Sequence, residues 1–131
     1  MRYDGVLMSL AAVNERLIEL EFHLRSRPSV SDTRHGFDLR KCGTGCRIDI
    51  YAEAYLGENV SYCWWLEISI QNDVWSLRSC VLRDSAKGQE IVEEFPERRG
   101  STAEGLVQAT QGAGDDLVTS CKGFVLPSVD E

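Results

Sequence analysis

"SYCWWLEISIQNDVWSLRSCVL", residues 61–82, decides the fold. Read at period two, Tyr62, Trp64, Leu66, Ile68 and Ile70 fall on one side, and Cys63, Trp65, Glu67, Ser69 and Gln71 on the other. This is the alternation of a strand with one buried face. Asn72 and Asp73 both tolerate positive φ, so they fit a two-residue hairpin turn. That turn sets Ile70 opposite Trp75, Ile68 opposite Leu77, Leu66 opposite Ser79 and Trp64 opposite Val81. On the other face it pairs Trp65 with Cys80 and Glu67 with Arg78, the latter an opposite-charge pair worth ~0.2–1 kcal/mol. A one-residue slip turns every apolar side chain to the wrong face. The register therefore stands, and it leaves one tryptophan, Trp65, on the polar side.

Working outward, "RIDIYAEAYL" (47–56) alternates Ile48, Ile50, Ala52, Ala54 and Leu56 against Asp49, Tyr51, Glu53 and Tyr55. Joined to 62–70 through Gly57–Ser61, it is expected to set Ala54 opposite Trp64 and Ala52 opposite Leu66, small residues making room for large ones. "FDLRKC" (37–42) folds back through a type II′ turn at Gly43-Thr44. Phe37 and Leu39 then lie over Ile50 and Ile48, while Arg40 faces Arg47 and Asp38 faces Asp49. "QEIVEEF" (89–95) reads as a charged edge strand ended by Pro96.

Residues 5–25 change period. Val6, Leu10, Val13, Leu17, Leu20 and Leu24 step by four and three, one stripe along a helix. Asp4 reads as its N-cap and Pro28 as its stop. "RSRPSVSDTRHG" (25–36) is a loop by composition. "STAE" (101–104) is a capping box, with Ser101 as N-cap and Glu104 reaching back. It opens a helix over about 102–121 with the stripe Leu106, Thr110, Ala113, Leu117 and Cys121, in which Gly105, Gly112 and Gly114 each cost roughly 1 kcal/mol relative to alanine. The chain after Leu126 reads as loose. The expected fold is α+β, one domain over 1–131: an antiparallel four- or five-stranded meander with an N-terminal and a C-terminal helix packed on one face.

The 131 residues carry a net charge of −7, a balance that disfavours nucleic acid and anionic membrane as partners. The acidity is uneven: residues 1–50 hold eight Lys/Arg against seven Asp/Glu, residues 51–131 six against fourteen. The apolar start is broken by Asn14, Glu15 and Arg16, so it reads neither as a signal peptide nor as a membrane span. Five cysteines, an odd count without a secretory signal, read as free thiols in a reducing cytoplasm.

Catalytic readings find little support. Cys42 and Cys46 in "CGTGC" have a spacing zinc accepts, but the other cysteines stand alone and only His23 and His35 exist, so no metal is expected. Cys42 with His35 as base lacks an orienting third group and an oxyanion hole. The paired acids Glu93-Glu94, Asp115-Asp116 and Asp130-Glu131 read as solvated charge, and the glycines form no phosphate-binding fingerprint. Arg98 and Arg99 read as balancing nearby acids. The expectation is no enzyme and no cofactor.

The polar sheet face is the unusual surface. It gathers Asp49, Tyr51, Glu53, Tyr55, Trp65 and Glu67, with Glu53 expected beside Trp65 and Tyr51 beside Glu67. Aromatics ringed by carboxylates make a hot-spot patch for a basic protein partner. The same face also suits a homodimer stacked face to face, or plain half-exposure of good strand formers.

A small acidic chain with a helix first, then "YCWWLEISI", "VWSLRSCVL" and "EIVEEFPERR", then a capped helix, resembles the small immunity proteins that neutralise bacterial polymorphic or contact-dependent toxins. The likeness covers most of the chain and lies in size, charge and layout, so it transfers no individual residue. It implies stoichiometric binding to a cognate toxin domain, often a basic nuclease, and inhibition by covering its active site. Two other classes stay open. A type III secretion chaperone is small and acidic too, but carries a helix in mid-sheet that is not expected between residues 47 and 95. A small-molecule-binding or enzymatic domain would place Trp65 inside a pocket on the sheet.

Overall fold

The structure, a computed structural model, describes residues 3–126. In chain order it contains α1 (Tyr3–Arg25), β1 (Asp32–Cys42), β2 (Gly45–Leu56), β3 (Val60–Gln71), β4 (Val74–Ser85), β5 (Gly88–Glu94), β6 (Arg98–Gly100) and α2 (Ala103–Gly123). All strand pairs are antiparallel, in the sequential order β1-β2-β3-β4-β5. β6 continues beside β4, which pairs β5 along residues 80–85 and β6 along 75–77. The result is the α+β meander with helices at both ends of the chain.

The β3–β4 register is the one the alternation dictates, including Glu67 opposite Arg78 and Trp65 opposite Cys80. Asn72 and Asp73 both take positive φ, 53° and 61°, as a type I′ hairpin requires. The β1–β2 register also follows, Phe37 facing Ile50 and Leu39 facing Ile48.

Four expectations need correction. The β2–β3 pairing lies two residues away from the expected one: Ala52 faces Trp64, Ala54 faces Tyr62 and Ile50 faces Leu66. The cause is a shorter loop, in which Gly57 at φ 71° lets the strands run on to Leu56 and Val60. A two-residue shift preserves which side chains face inward. Second, β1 begins at Asp32, because Asp32–Gly36 join the ladder opposite Tyr51–Tyr55. Third, the α2 N-cap is Thr102, whose Oγ accepts the Gly105 N–H at 3.1 Å, so Ser101 stays outside the helix. Fourth, Asp4 lies within α1 rather than capping it. Beyond the expectation, β6 forms a short sixth strand; the looseness expected after Leu126 concerns residues outside the described ones.

Both helices cover the same sheet face and run side by side in the same direction, α1 over β1 and β2, α2 over β3, β4 and β6. Ser9 Oγ donates to Val107 O at 3.4 Å near their starts, and Arg16 meets Asp115 at 2.7 Å midway. At their far ends, Arg27, just past α1, donates to the carbonyls of Cys121 and Phe124 at 2.8 and 2.6 Å. The two apolar stripes, Val6 to Leu24 and Leu106 to Cys121, are buried with Ile50, Ala52, Trp64, Leu66, Ile68, Leu77 and Val81. Trp75 Nε1 donates to Thr102 O at 2.9 Å. Trp64 is enclosed without a partner for its Nε1 and meets the Phe124 ring edge-on at 5.6 Å. Among the described residues, no helix is long and apolar enough to cross a membrane. All five cysteines are free.

Candidate functional site

The face turned away from the helices is concave and holds a cleft of about 520 Å³. Its wall is built by alternation. Tyr51 and Glu53 come from β2, Cys63 and Trp65 from β3, Arg78, Cys80 and Leu82 from β4 and Ile91 from β5, with Arg34 of β1 and Arg47 of β2 at the rim. The actual register places Tyr51 directly opposite Trp65, Asp49 opposite Glu67 and Glu53 opposite Cys63, which corrects the expected Glu53–Trp65 and Tyr51–Glu67 pairs. The two aromatics are thus register neighbours, with the Tyr51 ring leaning over Gly36 of β1.

All six expected residues lie on this face, but their carboxylates are engaged. The side chains of Asp49, Glu67 and Glu53 are only 8%, 12% and 17% exposed. Arg47 Nε lies 3.2 Å from Asp49 and 3.4 Å from Glu67. Its guanidinium also stacks on the Trp65 ring at 5.7 Å, and Trp65 Nε1 donates to Asp49 at 3.1 Å. Arg34 lies 3.5 Å from Glu53, and Tyr55 donates its hydroxyl to the same carboxylate. That hydrogen bond, with burial and the Glu53 charge, pushes the Tyr55 pKa up to about 12. The expected Arg40–Arg47 opposition is defused because each arginine reaches its own acid, Arg40 meeting Asp38 at 2.5 Å. The face is thus charge-mixed rather than acidic.

The more exposed acid is on β5: Glu94, opposite Cys80 on the cleft face, is exposed and only 4.0 Å from Arg78, itself half exposed. Glu90 and Glu93 lie opposite Arg83 and Val81 on the helix-side face, Glu90 3.4 Å from Arg83. The aromatics have one open flank. Trp65, Tyr51 and Tyr55 are half-buried, so a guest in the cleft completes their burial.

The nucleophile candidates are poorly activated. Burial, aided by the Glu53 charge, pushes the Cys63 thiol far up, and burial raises Cys80 to about 11. Cys42 and His35 lie seven positions apart on β1, about 23 Å along the strand and on opposite faces. His35 turns to the helix side, where its Nδ1 is hydrogen-bonded to Glu21 of α1. Among the described residues, no three His, Cys, Asp or Glu side chains gather as metal ligands. Arg98 and Arg99 do balance acids, Asp116 at 3.2 Å and Glu97 at 3.4 Å.

Sequence reading missed Arg34, Arg47, Leu82 and Ile91 as cleft residues. Arg47 had a signal, since its period-two partners Asp49 and Tyr51 share its face. Arg34 had none, because its strand shows no apolar alternation before Phe37. Comparison with protein-family models, curated proteins and solved structures gives no match.

Proposed function

We propose that this protein is a non-catalytic binding module that seats part of a protein partner in the cleft, as an immunity-type inhibitor seats against a cognate toxin domain in the cytoplasm. The observation that carries this reading is the neighbouring Tyr51 and Trp65, half-buried in a concave face that, among the described residues, no helix covers. Half-buried aromatics with an arginine stacked on them are what interface anchors are made of. The exposed Glu94 of β5 supplies attraction for a basic partner on this face, a task the enclosed Asp49, Glu53 and Glu67 are poorly placed to perform. The protonated thiols of Cys63 and Cys80, and the placement of His35 on the far side of the sheet, support a binding role over covalent chemistry.

A second reading rests on the cleft's size: about 520 Å³ falls within the range of small-molecule sites. One experiment separates them. Trp65→Ala and Glu94→Lys are compared with the unaltered protein for binding to the partner that co-purifies from the native host, beside a thermal-shift screen against metabolites. Loss of Trp65 is expected to weaken the complex by about 2–4 kcal/mol, with the melting temperature kept. Glu94→Lys is expected to slow association in a way that fades as salt rises. Full binding by Trp65→Ala would sink the protein-partner reading, and a metabolite whose stabilisation needs Trp65 would establish the second.

A further inference from the structure

We propose that β1 pairs antiparallel with the β1 of a second copy about a two-fold axis at Gly36, joining two sheets into one. One side of β1 is bonded to β2, and among the described residues the other side has no neighbour. The two-residue turn at Gly43-Thr44 makes Cys42 and Gly45 a hydrogen-bonded pair, so alternation assigns the even-numbered residues of β1 to β2. Thr33, His35, Phe37 and Leu39 therefore direct their N–H and C=O groups outward. Thr33 shows the need this creates: its N–H is held at 2.9 Å by the neighbouring Asp32 carboxylate.

Charge selects the register. The even positions Asp32, Arg34, Gly36, Asp38 and Arg40 read minus, plus, neutral, minus, plus. With the axis at Gly36, each Arg34 meets Asp38 of the second copy and each Asp32 meets its Arg40, giving opposite charges at every pair. The neighbouring registers that use the same outward groups are penalised, and an axis at Leu39, which sets Asp38 against Arg40, overlaps only residues 36–42 of β1. An axis at Phe37 sets Arg34 against Arg40, one at His35 sets Asp32 against Asp38, and one at Asp38 sets that residue against itself; like charges directly opposite destabilise a sheet.

The helix-side face agrees. Phe37 and Leu39 are 47% and 63% exposed although they point toward the core side. In this register Phe37 faces His35 of the second copy and Leu39 faces its Thr33, so both gain cover. Gly36 fits the axis as well, since the Tyr51 ring lies over it, where a Cβ would come within 2.4 Å. The two Tyr51 rings then flank the axis, and Asp38 of the second copy joins Arg34 at the rim of the cleft. About eight backbone hydrogen bonds form across the junction.

The test is sedimentation velocity over a concentration series, with amide exchange of the unaltered protein in parallel. The expected result is a shift from monomer to dimer as concentration rises, with the Phe37 and Leu39 amides exchanging more slowly in the dimer. Asp38→Arg alone, which sets two guanidinium groups against each other at the Arg34 pair, is expected to abolish the dimer, and the Arg34→Asp/Asp38→Arg double change to restore it. Leu39→Pro deletes an outward N–H that β2 does not use and is expected to leave a folded monomer. A monomer at every concentration overturns the proposal. So does a dimer that survives both Asp38→Arg and Leu39→Pro, or exchange at Phe37 and Leu39 that ignores concentration; this last readout needs no variant and holds even if a substituted chain fails to fold.

Discussion

Glu21 is the least expected residue in α1, a carboxylate buried at the junction of helix and sheet. It accepts hydrogen bonds from Thr33 Oγ and Arg25 at 3.0 Å each and is bonded to the His35 ring. Burial alone raises its pKa, but the His35 and Thr33 hydrogen bonds and the charges of His35 and Arg25 outweigh it, leaving it below the ordinary 4.5. A depressed carboxylate contributes stability that is complete above its unfolded pKa and lost as pH falls through its folded one. Thermal melts are therefore expected to decline as pH drops below about 4.5, and the decline to shrink in Glu21→Gln. At neutral pH the same variant is expected to cost about 1–3 kcal/mol, because the partners stay partly buried. An acid limb unchanged by Glu21→Gln would show that other carboxylates govern it. Glu21 was invisible as a site because its partners Thr33 and His35 sit on a strand whose start reads as a loop.

At the scale of elements, the start of α2 separates two readings of "STAE". Thr102 rather than Ser101 satisfies the Gly105 N–H, so Thr102→Ala is expected to cost about 1 kcal/mol and Ser101→Ala less than about 0.5 kcal/mol. Chemical denaturation of both variants checks this, and equal effects would contradict the observed cap. The capping-box pattern identified the helix but misplaced its first turn by one residue, because serine and threonine stand side by side and only backbone geometry chooses between them. The strands differ in how legible they are, for related reasons. β3 and β4 are readable because turn and alternation constrain each other. The β2–β3 offset is not, since Ala52 and Ala54 are equally good neighbours for Trp64 and either register keeps the faces aligned. β1 is half-legible: Phe37 and Leu39 announce it, whereas Asp32–Gly36 lack apolar alternation because an edge strand has less to bury. The same gap hid Arg34, and with it the fact that the cleft's acids are neutralised; Tyr51, Trp65 and their shared face were readable from alternation alone.

For the whole molecule, the first and last helices close a chain whose sheet lies between them in sequence. Their contacts span residues as far apart as Arg16 and Asp115, so neither apolar stripe is covered until the sheet has formed. Arg27 is the clasp, donating to two carbonyls at the end of α2. Arg27→Ala is expected to cost about 1.5–3 kcal/mol, the range for hydrogen bonds to a charged group. Unfolding is expected to remain a single transition with an unchanged dependence on denaturant. Two transitions would show that the helices detach as a unit of their own. The distribution of the three tryptophans has a spectroscopic consequence. Trp64 and Trp75 are sealed in the core, while Trp65 stands in the cleft wall beneath a guanidinium and opposite a thiol. Light emitted from the first two reports the integrity of the core. The third is the one indole whose colour and brightness answer to a guest in the cleft, so occupancy is readable by intrinsic fluorescence without a label.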